Sequence, residues 1–350
     1  MGTVVRLEDY CKSFKSAEVL KNINLTLESG KVIGLKGKNG SGKTMLMRAI
    51  SGLILPTSGK VYINDKELGR QISFPPSIGI LIENPSFISN YTGFKNLKIL
   101  ASIQNRISDD EIRDAIRKVG LDPDDKRTFK KYSLGMKQRL GIAAAIMERP
   151  DIVILDEPFS GLDPVNSRIL QDVVMELIGQ NKIVIFSSHQ MSYVEEFCRD
   201  IAIIDKGNIA LAGNLKDIKR QYGENQLVIS DVNMGLDELS QIIKDNVSDI
   251  ITETGRTREE IIVRNINGVS RADILKRMIA CGIEIEHFET YKPSLNDIFV
   301  SLVGDDMEDD KVVDYKNNSN DDNSYNRDIV DELPQGESSE HKKSVEGGVR

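Results

Sequence analysis

Cysteine is scarce in this 350-residue sequence, and the three present, Cys11, Cys198 and Cys281, are widely scattered and form no CxxC pair. An odd, dispersed set argues against a disulfide framework and against a zinc site. Long apolar runs are missing too: nothing approaches the roughly 18 consecutive apolar residues that a membrane-spanning helix needs. Met1 to Tyr10 alternates charged and apolar residues and has no apolar block of the kind that marks a secretory signal. The expectation is a chain that stays in the cytosol. A basic excess is also absent. The net charge of −8 falls within residues 304–350, which hold 14 acidic and 6 basic residues, while the preceding 303 residues are balanced. A nucleic-acid partner is therefore not expected. No segment repeats, so each motif below occurs once.

What is present is an alternation of short β-rich runs with helical patterns over residues 1–222. Val32–Leu35, Ile78–Ile82, Ile152–Leu155 and Ile183–Phe186 are apolar runs of buried-strand length, and helical stretches lie near 43–53, 109–119, 136–148 and 164–179. This pattern predicts an α/β core with a mostly parallel sheet covered on both faces. Val4–Asp9, Leu20–Leu27 and Val61–Ile63 alternate more strictly and predict an antiparallel flank, and a helical insertion is expected at about 86–150. Residues 223–303 read strand, helix, strand, strand, helix, strand: Leu227–Ser230, Leu236–Asp245, Ile250–Glu253, Ile261–Arg264, Ala272–Cys281 and Ile283–Phe288. That order predicts a small ferredoxin-like α+β domain. Ser294 followed by Asp297 marks a last helix start. Residues 304–350 are rich in Asp, Asn, Ser and Glu and cannot bury enough apolar surface to offset chain entropy, which predicts a disordered acidic tail.

The octet Gly37-Lys38-Asn39-Gly40-Ser41-Gly42-Lys43-Thr44 fits G-x-x-x-x-G-K-[ST] directly between a predicted strand and a predicted helix. In that setting glycines let backbone N–H groups curl around phosphate oxygens, and the helix N-terminus adds partial positive charge. Lys43 then reaches the β- and γ-phosphates of ATP, and the Thr44 hydroxyl serves Mg²⁺. An incidental glycine-rich turn would not need both flanking elements. Asp156-Glu157-Pro158 closes the apolar strand Ile152–Leu155. Asp156 is placed to hold the magnesium through water, and Glu157 to polarise an attacking water.

Three further segments carry a family resemblance. Tyr132-Ser133-Leu134-Gly135-Met136-Lys137-Gln138-Arg139-Leu140 resembles the signature of ATP-binding-cassette (ABC) ATPases, usually LSGGQ; Ser160-Gly161-Leu162-Asp163 resembles their D-loop; and Ser188-His189 resembles their switch histidine. The resemblance covers residues 1–220 in motif order and spacing. It implies one nucleotide-binding unit per chain and a head-to-tail homodimer sandwiching ATP, each nucleotide touching one subunit's P-loop and the other's Ser133 and Gly135, with Asp163 also at the nucleotide. It further implies His189 as a γ-phosphate sensor, Phe14 as the ring stacked on adenine, and a separate integral membrane permease that recruits the ATPase to the cytoplasmic face of the bacterial cell membrane.

Two departures narrow the resemblance. The signature reads SLGM, and Ile80-Leu81-Ile82-Glu83-Asn84-Pro85-Ser86-Phe87 has Glu83 where most members have glutamine. Both resemble the bacitracin-resistance and lantibiotic-immunity ATPases, and Pro293-Ser294-Leu295-Asn296-Asp297-Ile298-Phe299 resembles a C-terminal segment of the wider drug-export group. The resemblance implies that Glu83 contacts the nucleotide or metal and that the transported molecule is a peptide antibiotic. Export of another drug, a lipid or a polysaccharide stays open, as does a soluble cassette protein without transport.

Overall fold

The computed structural model describes residues 2–15, 17–266 and 268–303; the tail expected over 304–350 lies outside the described residues. Strands β1 (Val4–Phe14), β2 (Ala17–Glu28), β4 (Ser58–Ile63) and β5 (Lys66–Glu67) form the antiparallel flank in the order β2-β1-β4-β5. The central sheet contains β3 (Lys31–Lys36), β6 (Ile78–Leu81), β7 (Ile152–Leu155), β8 (Ile183–Ser187), β9 (Asp200–Asp205) and β10 (Asn208–Asn214). Its order is β10-β9-β3-β8-β7-β6, parallel throughout except for β10, which pairs antiparallel with β9.

The two faces of this sheet bury different cores because side chains alternate along a strand. Ile33, Leu35, Ile152, Ile154, Ile183 and Ile185 point into the core shared with the antiparallel flank and α1 (Lys43–Ile50). Val32, Val153, Leu155, Val184 and Phe186 point into the other core, with α2 (Gly93–Gln104), α3 (Asp109–Lys118), α4 (Leu134–Ile146) and α5 (Pro164–Gly179). Burial on both faces is why these strands read as unbroken apolar runs. Each fully buried Val, Leu or Ile contributes about 1.5–3 kcal/mol. The turn Lys206-Gly207, with φ of 46° and 85°, joins β9 to β10 as a hairpin.

Residues 226–290 fold as β11 (Gln226–Val232), α8 (Leu236–Asn246), β12 (Ile251–Arg256), β13 (Glu260–Asn265), α9 (Arg271–Ala280) and β14 (Ile285–Thr290). The all-antiparallel order β12-β13-β11-β14 is the ferredoxin-like arrangement, with its own core around Ile229, Leu239, Ile261 and Ile274. Before it stand α6 (Met191–Phe197) and α7 (Leu215–Gly223), and after it α10 (Leu295–Val303). Ser294 and Asp297 cap α10 reciprocally. The apolar face of α10, through Leu295, Ile298, Phe299 and Val303, joins the core of the central sheet and not that of the ferredoxin-like sheet. Among the described residues no helix is long and apolar enough to cross a membrane.

Candidate active site

Strand β3 delivers the chain into the glycine-rich loop, and α1 receives it. Gly42 caps α1 with φ 111° and no side-chain partner, so the N–H groups of the first turn are left for an anion. At Gly37 a Cβ would come within 2.3 Å of the Ile204 carbonyl, so this position admits glycine alone. The Ser41 hydroxyl is buried with no protein partner. Lys43 Nζ arches over the loop, donating to the carbonyls of Gly37 (2.6 Å) and Lys38 (3.0 Å). Burial pushes its amine below the ordinary lysine range, against the opposing pull of Glu157 and Asp156.

Beside this loop Asp156 is the hub of a hydrogen-bond network. Thr44 Oγ1 donates to its Oδ2 (3.1 Å) and Ser187 Oγ donates to its Oδ1 (2.6 Å). Ser187 Oγ in turn accepts from the backbone N–H of Glu157 (2.9 Å), a residue held in the left-handed region at φ 47°. Such a conformation costs a non-glycine residue about 1–3 kcal/mol and re-aims its side chain. The Glu157 carboxylate accepts from the His189 backbone N–H (3.1 Å), and its other oxygen lies 3.4 Å from His189 Nε2.

A second assembly forms where α4 and α5 begin. Ser133 caps α4, accepting from Met136 N–H (3.2 Å), and Asp163 caps α5, accepting from Asn166 N–H (2.9 Å). Those Asn166 bonds hold the Asp163 carboxyl below its usual range. A Cβ on Gly135 would meet Leu162 at 3.2 Å and the Gly161 carbonyl at 3.4 Å, so the two loops are in close contact. Buried Arg139 steadies them, donating to the carbonyls of Gly120 (2.8 Å) and Gly135 (3.4 Å). Gln138 links the assemblies by donating to the Glu157 carbonyl (3.2 Å).

Residues 20–160 match the ABC transporter family, and 213–303 match the C-terminal domain of the DrrA1-3-like ATP-binding proteins. The bacitracin transport ATP-binding protein BcrA of Enterococcus faecalis is 32% identical over 307 residues, covering 87% of this chain and 97% of its own length. This chain belongs to the ATP-binding proteins of ABC transporters. The lantibiotic transport ATP-binding protein SrtF of Streptococcus pyogenes is 35% identical over 208 residues, 59% of this chain and 90% of its own. The solved structure of an ABC transporter ATP-binding subunit superposes with a TM-score of 0.56 at 26% identity, covering 69% of this chain and all of that one, 100%. A dimeric cassette in a post-hydrolysis state with ADP and Pi shares the fold at a TM-score of 0.54 and 23% identity, covering 60% of this chain and 98% of that one.

The ABC ATPase brings Lys43, Thr44, Asp156, Glu157 and His189 together, and separately Ser133, Gly135 and Asp163. Phe14 is exposed at the β1–β2 hairpin, with Lys12 Nζ 4.8 Å from its ring centroid. Glu83, also left-handed at φ 63°, directs its carboxylate to Arg48 of α1. Arg48, Ser187 and Lys36 also belong to the site although they lie in no motif, and Gln138 does so from within the signature segment. Arg48 was findable as the residue one helical turn beyond Thr44. Ser187 and Lys36 are polar ends of apolar strands, a weak signal in the sequence alone.

Proposed function

We propose that this ATPase powers export of peptide antibiotics of the bacitracin or lantibiotic type through a separate membrane permease, working as a homodimer on the cytoplasmic face of the bacterial cell membrane. The observation that carries this reading is the similarity to a bacitracin transport ATP-binding protein over 87% of the chain, ferredoxin-like domain included. The test is expression with the native permease in a sensitive host. The minimum inhibitory concentration of bacitracin or a lantibiotic should rise severalfold and fall back with Lys43→Ala. If it stays flat for both peptide classes while another amphiphile is exported, the reading is wrong about substrate.

The residues suit Mg²⁺: Thr44 Oγ1 and Asp156 Oδ2, 3.1 Å apart, are hard oxygen donors at the mouth of a phosphate loop. When bound with the nucleotide, Mg²⁺ supplies charge neutralisation at the β- and γ-phosphates. Lys43 leaves its loop carbonyls for those phosphates, and the buried Ser41 hydroxyl gains an acceptor there. Phe14 stacks on the adenine, and Gly37, Asn39, Gly40 and Gly42 shape the loop around the phosphates. Glu157 accepts the proton of the attacking water as the oxygen–phosphorus bond to ADP breaks and phosphate leaves. His189 follows the γ-phosphate through its contact with Glu157. Ser133, Gly135 and Asp163 of a second copy close the site from the opposite side. Because catalysis then needs two chains, hydrolysis should rise more than linearly with protein concentration.

The permease contact we assign is the exposed apolar set Ile88, Ile99, Leu100 and Ile103. Its first member, Ile88, follows the Glu83 loop along the chain. The Ile88 N–H and carbonyl both bond Asn96 of α2.

A further inference from the structure

The loop that carries His189 is pinned from two sides. On one side Glu157 accepts from the His189 N–H (3.1 Å). On the other, the ammonium of Lys36 donates to the carbonyls of His189 (3.3 Å) and Ser188 (3.5 Å). Lys36 ends β3, one residue before the phosphate loop, and is only 8% exposed. A buried ammonium is costly to desolvate and is retained where its charge meets oriented acceptors. Lys36 therefore connects three things: the strand that launches the phosphate loop, the peptide groups flanking His189, and a ring that covers it.

That ring belongs to Phe299 of α10, with Lys36 Nζ 5.4 Å from its centroid. The helix bearing Phe299 is fastened to the same neighbourhood. Leu295 N–H at its start donates to Glu195 of α6 (2.5 Å), and Glu195 also pairs with Lys219 of α7 (2.9 Å). Helix α6 begins directly after the His189 loop. A shift of α10 thus bears on that loop along two routes, through Phe299 and Lys36 to the carbonyls, and through Glu195 to the following helix.

We infer that Lys36 is a positioning residue for His189 and that Phe299 sets its hold, so that the C-terminal part of the chain controls ATP hydrolysis from within the subunit. This rests on the roles given above to Glu157 and His189. Lys36→Met keeps the apolar stem and removes the two carbonyl bonds, which releases one of the two anchors of the His189 loop. Phe299→Leu keeps apolar bulk and removes the ring. Neither touches the phosphate loop's own donors, so nucleotide binding should persist while the rate falls. A misplacement of the order of 1 Å in a catalytic group costs up to about 100-fold in rate.

The test is steady-state ATP hydrolysis and nucleotide affinity for the full chain as wild type, Lys36→Met, Lys36→Arg, Phe299→Leu and His189→Ala, each with its thermal midpoint. The expected result is a kcat lower by about tenfold or more in Lys36→Met, with KM for ATP within about twofold. Phe299→Leu should shift in the same direction by less, and Lys36→Arg, which restores a cationic donor, should recover part of the rate. If Lys36→Met and Phe299→Leu match wild type in kcat while His189→Ala is impaired, the inference is overturned and the reading of the site stands. If the variants lose affinity and thermal midpoint together with rate, and Lys36→Arg recovers nothing, Lys36 is a packing residue and the inference is overturned. If His189→Ala keeps the wild-type rate, the reading of the site and this inference fall together.

Discussion

Arg48 Nη2 and Glu83 Oε1 form an ion pair 2.7 Å apart, joining the helix that follows the phosphate loop to the loop that leaves β6. Thr44 and Arg48 lie one turn apart on α1, so the same helix face meets Asp156 and Glu83. The pair is open to water, with Glu83 61% and Arg48 32% exposed, and contributes at most about 1 kcal/mol to stability. Its consequence lies in where it holds Glu83. In this conformation the carboxylate is committed to Arg48, and reaching nucleotide or metal requires that it let go.

Glu83→Gln should therefore leave the thermal midpoint within a few degrees and ATP hydrolysis by the isolated subunit within about an order of magnitude. Resistance in cells with the native permease should fall, because this loop runs on to the apolar face at Ile88. Arg48→Met should give the same phenotype, and the double variant should be no worse than either single one. Additive losses in the double variant would show that the two residues act independently.

Asp156→Asn keeps the shape of the hub and removes its charge. Thermal stabilisation by ATP should then depend less on added Mg²⁺, since the water-mediated hold of Asp156 on the cation loses its negative charge while Thr44 stays. A magnesium titration of the ATP-induced midpoint shift checks this, and an unchanged titration would place the cation elsewhere.

Gly79 lies in β6 against α4, where an added Cβ would stand 1.7 Å from the Ala145 carbonyl. Backbone cannot yield as a flexible side chain does, so Gly79→Ala should destabilise by about 3 kcal/mol or more. Chemical denaturation measures it. A cost below about 1 kcal/mol would mean that the helix–sheet spacing relaxes freely.

Cys198 is buried against β3, and burial pushes its thiol far above the ordinary range, so it stays protonated at any working pH. Cys11 and Cys281 are partly exposed. A maleimide at pH 8 should label those two in the native chain and reach Cys198 only in denaturant. Rapid native labelling at Cys198 would contradict the packing of α6 on the sheet.

The legible parts of this fold were those with a local cause. The apolar runs of β3, β7 and β8 announce a doubly covered sheet, and the octet ending at Thr44 announces a phosphate loop because strand, glycines and helix are contiguous. The βαββαβ order of the C-terminal sheet was readable from the succession of short β-rich runs and helical patterns. By contrast β1 runs five residues past the expected Asp9, through bulged pairing with β2 that no periodicity reveals. The β9–β10 hairpin was not among the expected strands, although Ile201–Ile204 is an apolar run as long as Ile152–Leu155. The site's cross-links, Ser187 to Asp156, Arg48 to Glu83 and Lys36 to His189, join residues 31, 35 and 153 positions apart, and such partners emerge only once the sheet is assembled.

The most direct measurement of the central claim is the rate of ATP hydrolysis by Glu157→Gln beside its nucleotide affinity. The substitution preserves the shape that holds the His189 N–H and removes the basicity that accepts a proton from water. Hydrolysis should drop by about 10²–10⁴-fold with ATP still bound, and ATP-bound dimers should accumulate. A steady-state rate within about twofold of wild type, at unchanged affinity, would contradict the role assigned to Glu157 and the mechanism built on it.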